Sequence, residues 1–260
     1  MGHKRNIYTP RTRSWLKIVQ ELADYALGKS DAAEIAKQTL KNVQNRYNKL
    51  ENDPSVKSAF EFLLEVSVAF QKNDPLKYLQ DKKILDSKEF SILKLTRAAT
   101  NYKNDEVESH EYQTFAKQSA VDALNHWYIA NIERGVSLFN DSLDSKQVLY
   151  KVSNGSGFCE VSRLFFSKFT ERYLKYFLER EASGLISNTA QRNRFNNQLE
   201  ANVEQISKHA FETAKITQSF AAGWFNKHVK GEIPSETEIK GFLAHAFGKM
   251  KRELLEEEVN

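Results

Sequence analysis

The sequence from Gly157 to Val229, GFCEVSRLFFSKFTERYLKYFLEREASGLISNTAQRNRFNNQLEANVEQISKHAFETAKITQSFAAGWFNKHV, decides the fold. Its first half repeats apolar residues every fourth position, a spacing that places them on one face of a helix. The members of this stripe are Val161, Phe165, Phe169, Tyr173 and Phe177. The first half therefore predicts a long helix that buries an aromatic face.

The second half carries apolar and small residues at alternating spacings of four and three. This heptad spacing is typical of a helix that packs along a neighbouring helix. The positions are Leu199, Val203, Ile206, Ala210, Thr213, Thr217, Phe220 and Trp224. Gly184 is a candidate left-handed stop for the first helix, and Ser187 or Asn188 a candidate cap for the second. We therefore expect a long antiparallel helical hairpin over about residues 158–229.

The rest of the chain also favours helices. Its four prolines stand at positions 10, 54, 75 and 234, so that a long central region has none. Asp53-Pro54 and Asp74-Pro75 each join a capping carboxylate to a proline at a first helical position, and Ser235 with Glu238 forms a capping box. The predicted fold class is an all-α, multi-helix bundle.

The polar and acidic segment TNYKNDEVESHE, Thr100 to Glu111, predicts a boundary between two parts of the chain. On this interpretation residues 1–100 form an N-terminal helical bundle with a basic arm. Residues 111–260 form a C-terminal long-helix bundle. Whether the two parts share one core is left open by the sequence.

Composition excludes several classes of protein. The single cysteine, Cys159, excludes an internal disulfide and a thiolate-rich zinc site. The six histidines lack the spacings of known helical metal sites, so that we expect neither a metal nor a cofactor. No apolar run approaches the about 18 residues of a membrane span. We therefore expect a cytoplasmic protein with no membrane partner.

Three groups of residues are candidates for chemistry, and each has a simpler structural interpretation. Cys159 lies near a predicted helix start, where a thiol pKa can fall, but its apolar neighbours favour a core position. The glycine turn before it, residues 154–157, could hold an anion, yet it lacks the spacing of a phosphate-binding loop. Asp122 and His126 are four apart, which favours a structural pair. We therefore expect no enzymatic activity.

Two groups of cations are candidates for contact with nucleic acid. The first is a basic arm with no acidic residue before Glu21, and it contains Lys4, Arg5, Arg11, Arg13 and Lys17. The second lies on the predicted second helix of the hairpin and contains Arg192, Arg194 and Lys208. Cations of this kind bind phosphates, although a net charge of +4 is mild for a nucleic-acid-binding protein.

Large aromatic residues near the end of the chain are candidates for contact with another protein. They are Phe220, Trp224, Phe225, Phe242 and Phe247. Together with the lack of converging catalytic residues, they favour a non-catalytic accessory or scaffold subunit of a multi-protein complex. By analogy, that complex would handle nucleic acid, as in a bacterial defence system. Direct DNA or RNA binding through the arm, Arg192 and Arg194 is the alternative, and homo-oligomerisation is left open.

Overall fold

The computed structural model describes residues 12–86, 90–103, 112–133, 145–211 and 219–256. Every regular element in these ranges is a helix, which confirms the predicted all-α class. The α-helices are α1 (Arg13–Ala26), α2 (Ala32–Tyr47), α3 (Pro54–Ala69), α4 (Pro75–Asp81), α5 (Ile92–Asn101), α6 (Gln113–Glu133), α7 (Ser145–Tyr150), α8 (Gly155–Leu185), α9 (Thr189–Phe211), α10 (Phe220–His228) and α11 (Glu236–Glu256). Short 3₁₀ turns cover Leu50–Asn52 and Lys151–Ser153.

Three helices of the first third, α2 to α4, begin directly after an aspartate that caps them. Asp31, Asp53 and Asp74 each accept a hydrogen bond from a backbone N–H in the first turn of α2, α3 and α4. Pro54 and Pro75 occupy first helical positions, as predicted, because a proline there loses no intrahelical hydrogen bond. These starts are set by local sequence alone.

Helix α8 is the central element. All residues of the predicted stripe are buried, and most large rings of α8 are buried as well and meet rings from several other helices. Buried aromatic side chains of α8 are Phe158, Phe165, Phe166, Phe169, Tyr173 and Phe177. Such rings each remove a large apolar area from water, and their edge-to-face contacts add to that stabilisation.

Helix α9 packs against α8 in the opposite direction. The cross-helix contacts join early residues of one helix to late residues of the other: Lys168 pairs with Glu200, Arg163 Nη1 donates to Ser207 Oγ at 3.3 Å, and Cys159 Sγ lies 3.9 Å from the Phe211 carbonyl oxygen. The heptad positions Leu199, Val203, Ile206 and Ala210 are all buried.

The predicted second helix does not continue unbroken to Val229. Ser219 has extended backbone (φ −64°, ψ 153°) and caps α10 by accepting from Ala222 N at 3.1 Å. Thr213 and Thr217 lie outside the described residues. The first helix also differs from expectation, because Gly184 lies inside α8 and is not its left-handed stop. Asn188 is the cap of α9, as predicted, with Oδ1 accepting from Ala190 N at 2.8 Å.

The buried residues of the described ranges form one hydrophobic cluster that draws on both predicted parts of the chain. Tyr47 of α2 meets Tyr173 of α8 and Phe247 of α11, with ring centroids 5.3 and 5.4 Å apart. Its hydroxyl lies 2.9 Å from Thr170 Oγ1, and burial raises its pKa. The predicted boundary at residues 100–111 stays a prediction, because most of that segment lies outside the described residues.

A close backbone approach fixes the start of α8. Just before α8, the chain forms α7 followed by the 3₁₀ turn at Lys151–Ser153. That turn lies so near α8 that a Cβ on Gly157 would stand 2.0 Å from the Lys151 carbonyl oxygen. Only glycine fits there, since the obstructing atom belongs to the backbone.

An ion-pair network joins α6, α8 and α9. Lys168 and Glu171 of α8 are both buried and lie 3.7 Å apart, and Lys168 also pairs with Glu200 of α9. Arg172 of α8 pairs with Asp122 of α6. Asp122 therefore forms an ion pair with α8 instead of the predicted pair with His126. The hydrogen bond and charge of Lys168 lower the pKa of Glu200.

We predict that Gly157→Ala will destabilise the protein, because the added methyl group overlaps the backbone of the 3₁₀ turn. Overpacking of this kind costs about 1–3 kcal/mol of unfolding free energy, which urea denaturation can measure. Gly184→Ala is the control, since nothing lies within 4 Å of its Cβ, and it should add up to about 1 kcal/mol of stability. Equal effects of the two substitutions would contradict this packing.

We also predict an acid-dependent effect of Glu200→Gln. The pKa of Glu200 lies below its ordinary value of 4.5 in the folded state, so the carboxylate stabilises the fold above that pH. This contribution disappears as pH falls through the lowered pKa. The stability difference between wild type and variant should therefore be present at neutral pH and shrink in acid.

Urea denaturation of both proteins across that pH range measures the difference. Glu204→Gln is the control, because its pair with Lys208 lies within one helix and is largely exposed, where such pairs contribute little. A Glu200→Gln effect that is independent of pH would contradict the prediction.

Candidate functional site

The structure describes only part of the predicted basic arm. Lys4, Arg5 and Arg11 lie outside the described residues. Arg13 and Lys17 are exposed on the first turns of α1 and are one helical turn apart. They therefore form a small cationic surface at the start of that helix.

The three cations predicted on α9 are spread along it. Arg192 is half-buried and donates to Thr189 Oγ1 at 3.3 Å, whereas Arg194 is exposed. Lys208 is exposed and lies 3.3 Å from Glu204. Sixteen residues of helix separate Arg192 from Lys208, a rise of about 24 Å. These cations do not converge on a common point.

A cavity of about 310 Å³ lies between the end of α8 and the start of α9. Arg192 and Lys175 line it, but so does Glu179, and Lys175 Nζ already lies 2.5 Å from Glu171. The first amides of α9 are capped by Asn188. The cavity therefore combines both signs of charge and lacks a concentrated anion-binding arrangement.

A groove of about 400 Å³ separates α10 from α11, and it contains several of the predicted partner-binding residues. It is lined by Phe220, Trp224, Glu238, Gly241, Phe242 and His245. Phe220 and Trp224 are half-buried, while Gly241 and His245 are exposed. The floor of the groove is thus apolar and its rim open to solvent.

The two helices that form the groove run in opposite directions. The contacts across it are His228 Nδ1 to Glu238 Oε1 at 2.7 Å, Trp224 to Phe242 at 4.5 Å between centroids, and Phe220 to the His245 ring at 4.7 Å. The predicted capping box holds the turn between them, since Ser235 N donates to Glu238 Oε2 at 2.8 Å. Local sequence therefore determines where α11 begins, and α11 forms one side of the groove.

Three predicted partner-binding residues are core residues instead. Phe225, Phe242 and Phe247 are only 1, 2 and 2% exposed. Phe225 stacks on Phe158 of α8 at 4.6 Å, and Phe247 packs against Phe166 at 4.9 Å. Phe225 and Phe247 are thus covered by other helices, whereas Phe242, although buried, forms part of the groove floor. Phe220 and Trp224 are partly exposed.

The rings of the groove already have stacking partners within the chain. Trp224 stacks with His228 (5.4 Å, 25°) and with Phe158 (6.0 Å, 25°). The Lys249 ammonium lies 5.3 Å from the centroid of Phe220. An incoming group therefore meets ring edges and aliphatic surface more readily than a free ring face.

Charge is unevenly distributed along the groove. Burial and the cations of Lys249 and Arg252 lower the pKa of His245, which marks an electropositive end beside Phe220. At the other end, hydrogen bonds from Ser235 and His228 lower the pKa of Glu238 to about 2. The groove thus has one cationic end and one carboxylate already held by local donors.

Residues considered for catalysis have structural roles. Asn154 Oδ1 accepts from Gly157 N at 3.0 Å, filling the turn that could have held an anion. Cys159 is fully buried, and its sulfur accepts from Ser219 Oγ at 2.9 Å. Within the ranges that the structure describes, no three His, Cys, Asp or Glu side chains are placed to hold a metal.

The sequence interpretation missed the part that Gly241, His245 and Glu238 play in the groove. A usable signal was present, because Ser235 begins a helix soon after α10 and short connections favour antiparallel neighbours. An antiparallel arrangement of α10 and α11 would have placed Glu238 near His228 and His245 near Phe220.

Comparison with known proteins finds no match to this chain among family models, curated proteins or solved structures. Among the described helices, none is long and apolar enough to cross a membrane.

We predict that Cys159 is inert to thiol reagents in the native protein. Its sulfur is buried beneath the junction of α9 and α10, so reaction requires local or global unfolding. Native Cys159 should react with an aromatic disulfide reagent on the order of 100-fold more slowly than the urea-unfolded chain. Equally fast reaction of the two forms would show that the thiol is accessible and would reopen a nucleophilic role.

Proposed function

We propose that this protein is a non-catalytic helical subunit that binds another protein through the groove between α10 and α11. The observation that carries the proposal is the half-exposed apolar floor of Phe220 and Trp224 beneath an open rim. Aromatic side chains that line a concave surface are frequent anchors in protein interfaces. A groove between two antiparallel helices also suits an incoming helix.

The chemistry of the groove favours protein over nucleic acid. Single-stranded nucleic acid binds by stacking bases on open aromatic faces beside a track of cations. Here His228 and Phe158 already stack with Trp224, and Lys249 lies over Phe220. An apolar protein side chain needs only the edges and aliphatic surface that remain.

Direct nucleic-acid binding through the basic arm is the second candidate. It is favoured by Arg13 and Lys17, which are exposed, one turn apart and continuous in sequence with the cations of the first eleven residues. Such binding would weaken steeply with salt, because each phosphate contact releases counterions. A capture experiment performed with and without nuclease treatment tests both candidates.

We predict that Gly241→Trp will abolish capture of a protein partner. Nothing lies within 4 Å of a Cβ placed on Gly241, so the indole can extend into the groove from the open side of α11. The tagged chain would be used to capture partners from extracts of its native cells, with and without nuclease. We expect at least an about tenfold loss of a nuclease-resistant protein, the size expected when an interface anchor is lost.

Gly184→Trp is the matched control, because Gly184 is also an exposed helical glycine with open space and lies far along the chain from the groove. It should retain the partner. Capture that survives Gly241→Trp would argue against the groove as the docking surface. Capture that is lost only on nuclease treatment would favour the basic arm and nucleic acid.

A further inference from the structure

The groove between α10 and α11 has a polarity that restricts what can occupy it. Its Phe220 end carries cations, since Lys249 Nζ lies 5.3 Å from the centroid of that ring and Arg252 follows His245 by seven residues, about two helical turns, on α11. These groups follow one another on a single face of α11. An occupant therefore meets at least two cations within about two helical turns.

Among the described residues that line the groove, the carboxylate is that of Glu238, and it lies at the opposite end. Glu238 accepts hydrogen bonds from Ser235 N and Ser235 Oγ, at 2.8 and 2.7 Å, and lies 2.7 Å from His228 Nδ1. Its charge is thus engaged at the opposite end by donors of the chain itself. At the Phe220 end, the described residues that line the groove include no carboxylate, and Lys249 lies beside them.

The rim of the groove leaves room for a backbone. Gly241 and Gly248 stand seven residues apart on one side of α11, and nothing lies within 4 Å of the Cβ position of either. Between Glu238 and Arg252 the helix rises about 21 Å, which is the length of about fourteen residues of a second helix. Small residues along this side allow such a helix to approach closely.

We infer that the segment bound here is an acidic amphipathic helix of the partner protein, an inference that rests on the proposed function. Its apolar side chains enter the floor at Phe220 and Trp224. Its Asp or Glu side chains lie over Lys249 and Arg252. Opposite charges placed in this way determine register and exclude basic competitors more than they add affinity.

A photo-crosslinking experiment tests this inference directly. Benzoylphenylalanine replaces His245 in the tagged chain in its native cells, because this exposed position lines the rim of the groove and already carries a ring there. The same residue at position 184 is the control. After irradiation, the crosslinked peptide is sequenced by mass spectrometry, which reports the composition of the bound segment.

Charge reversal provides the second measurement. Arg252→Glu is introduced into the chain that carries the crosslinker at position 245, with Lys240→Glu as a matched control. Both side chains are exposed on α11 but lie on different faces. We expect a crosslinked segment rich in Asp and Glu around apolar residues, about tenfold less product with Arg252→Glu, and little change with Lys240→Glu.

The outcomes separate the inference from the proposed function. A protein segment that is basic or uncharged, or a yield unaffected by Arg252→Glu, overturns the acidic helix but leaves the docking groove in place. Crosslinking to a second copy of this chain also overturns the inference. A yield at position 245 no higher than at position 184 overturns the proposed function itself. Crosslinking to nucleic acid in place of protein also overturns it and favours direct nucleic-acid binding.

Discussion

Burial of the aromatic rings of α8 is the constraint on which the rest of the structure depends. Phe158 meets Phe60 of α3 and Phe225 of α10, so rings from distant parts of the sequence converge on one helix. Phe166 meets Phe211 of α9 and Phe247 of α11. Each fully buried phenylalanine contributes about 1.5–3 kcal/mol before ordering costs, and no single neighbour could cover them all. The other helices are therefore arranged around α8, and α10 and α11 meet at its first turns.

Features set by local chemistry could be predicted from the sequence. The carboxylate caps and the Ser235–Glu238 box depend on residues within one turn, and the buried stripe of α8 follows from its four-residue period. The predicted helix to Val229 was wrong because Ser219 Oγ finds two partners, Ala222 N and the Cys159 sulfur. The second of these lies sixty residues away in sequence. A heptad pattern cannot reveal that a tertiary contact favours a new helix start.

The candidate site was predicted in part. Phe220 and Trp224 were identified by size and spacing, yet the same criteria selected Phe225 and Phe242, which are buried. The difference arises from packing, since α8 covers one side of α10 and α11 covers the next. Whether a ring is exposed depends on whether a neighbouring helix covers it. The periodicity of the helix that carries the ring does not contain that information. The position of Gly241 at the groove could not be predicted either, because nothing in the sequence around a helical glycine indicates that a groove lies beside it.

Helix α11 completes a core whose other parts lie far earlier in the chain. Phe247 packs on Tyr47, Phe242 stacks on Phe60 at 5.1 Å, and Lys251 donates to Asn48 Oδ1 at 2.8 Å. During synthesis, a ribosome adding about 5–20 residues per second takes on the order of ten seconds or more to pass from α2 to α11. Throughout that interval the inner faces of α2 and α3 lack their final cover. Apolar surface of the nascent chain therefore stays uncovered until α11 has been translated, and the complete core forms only after that.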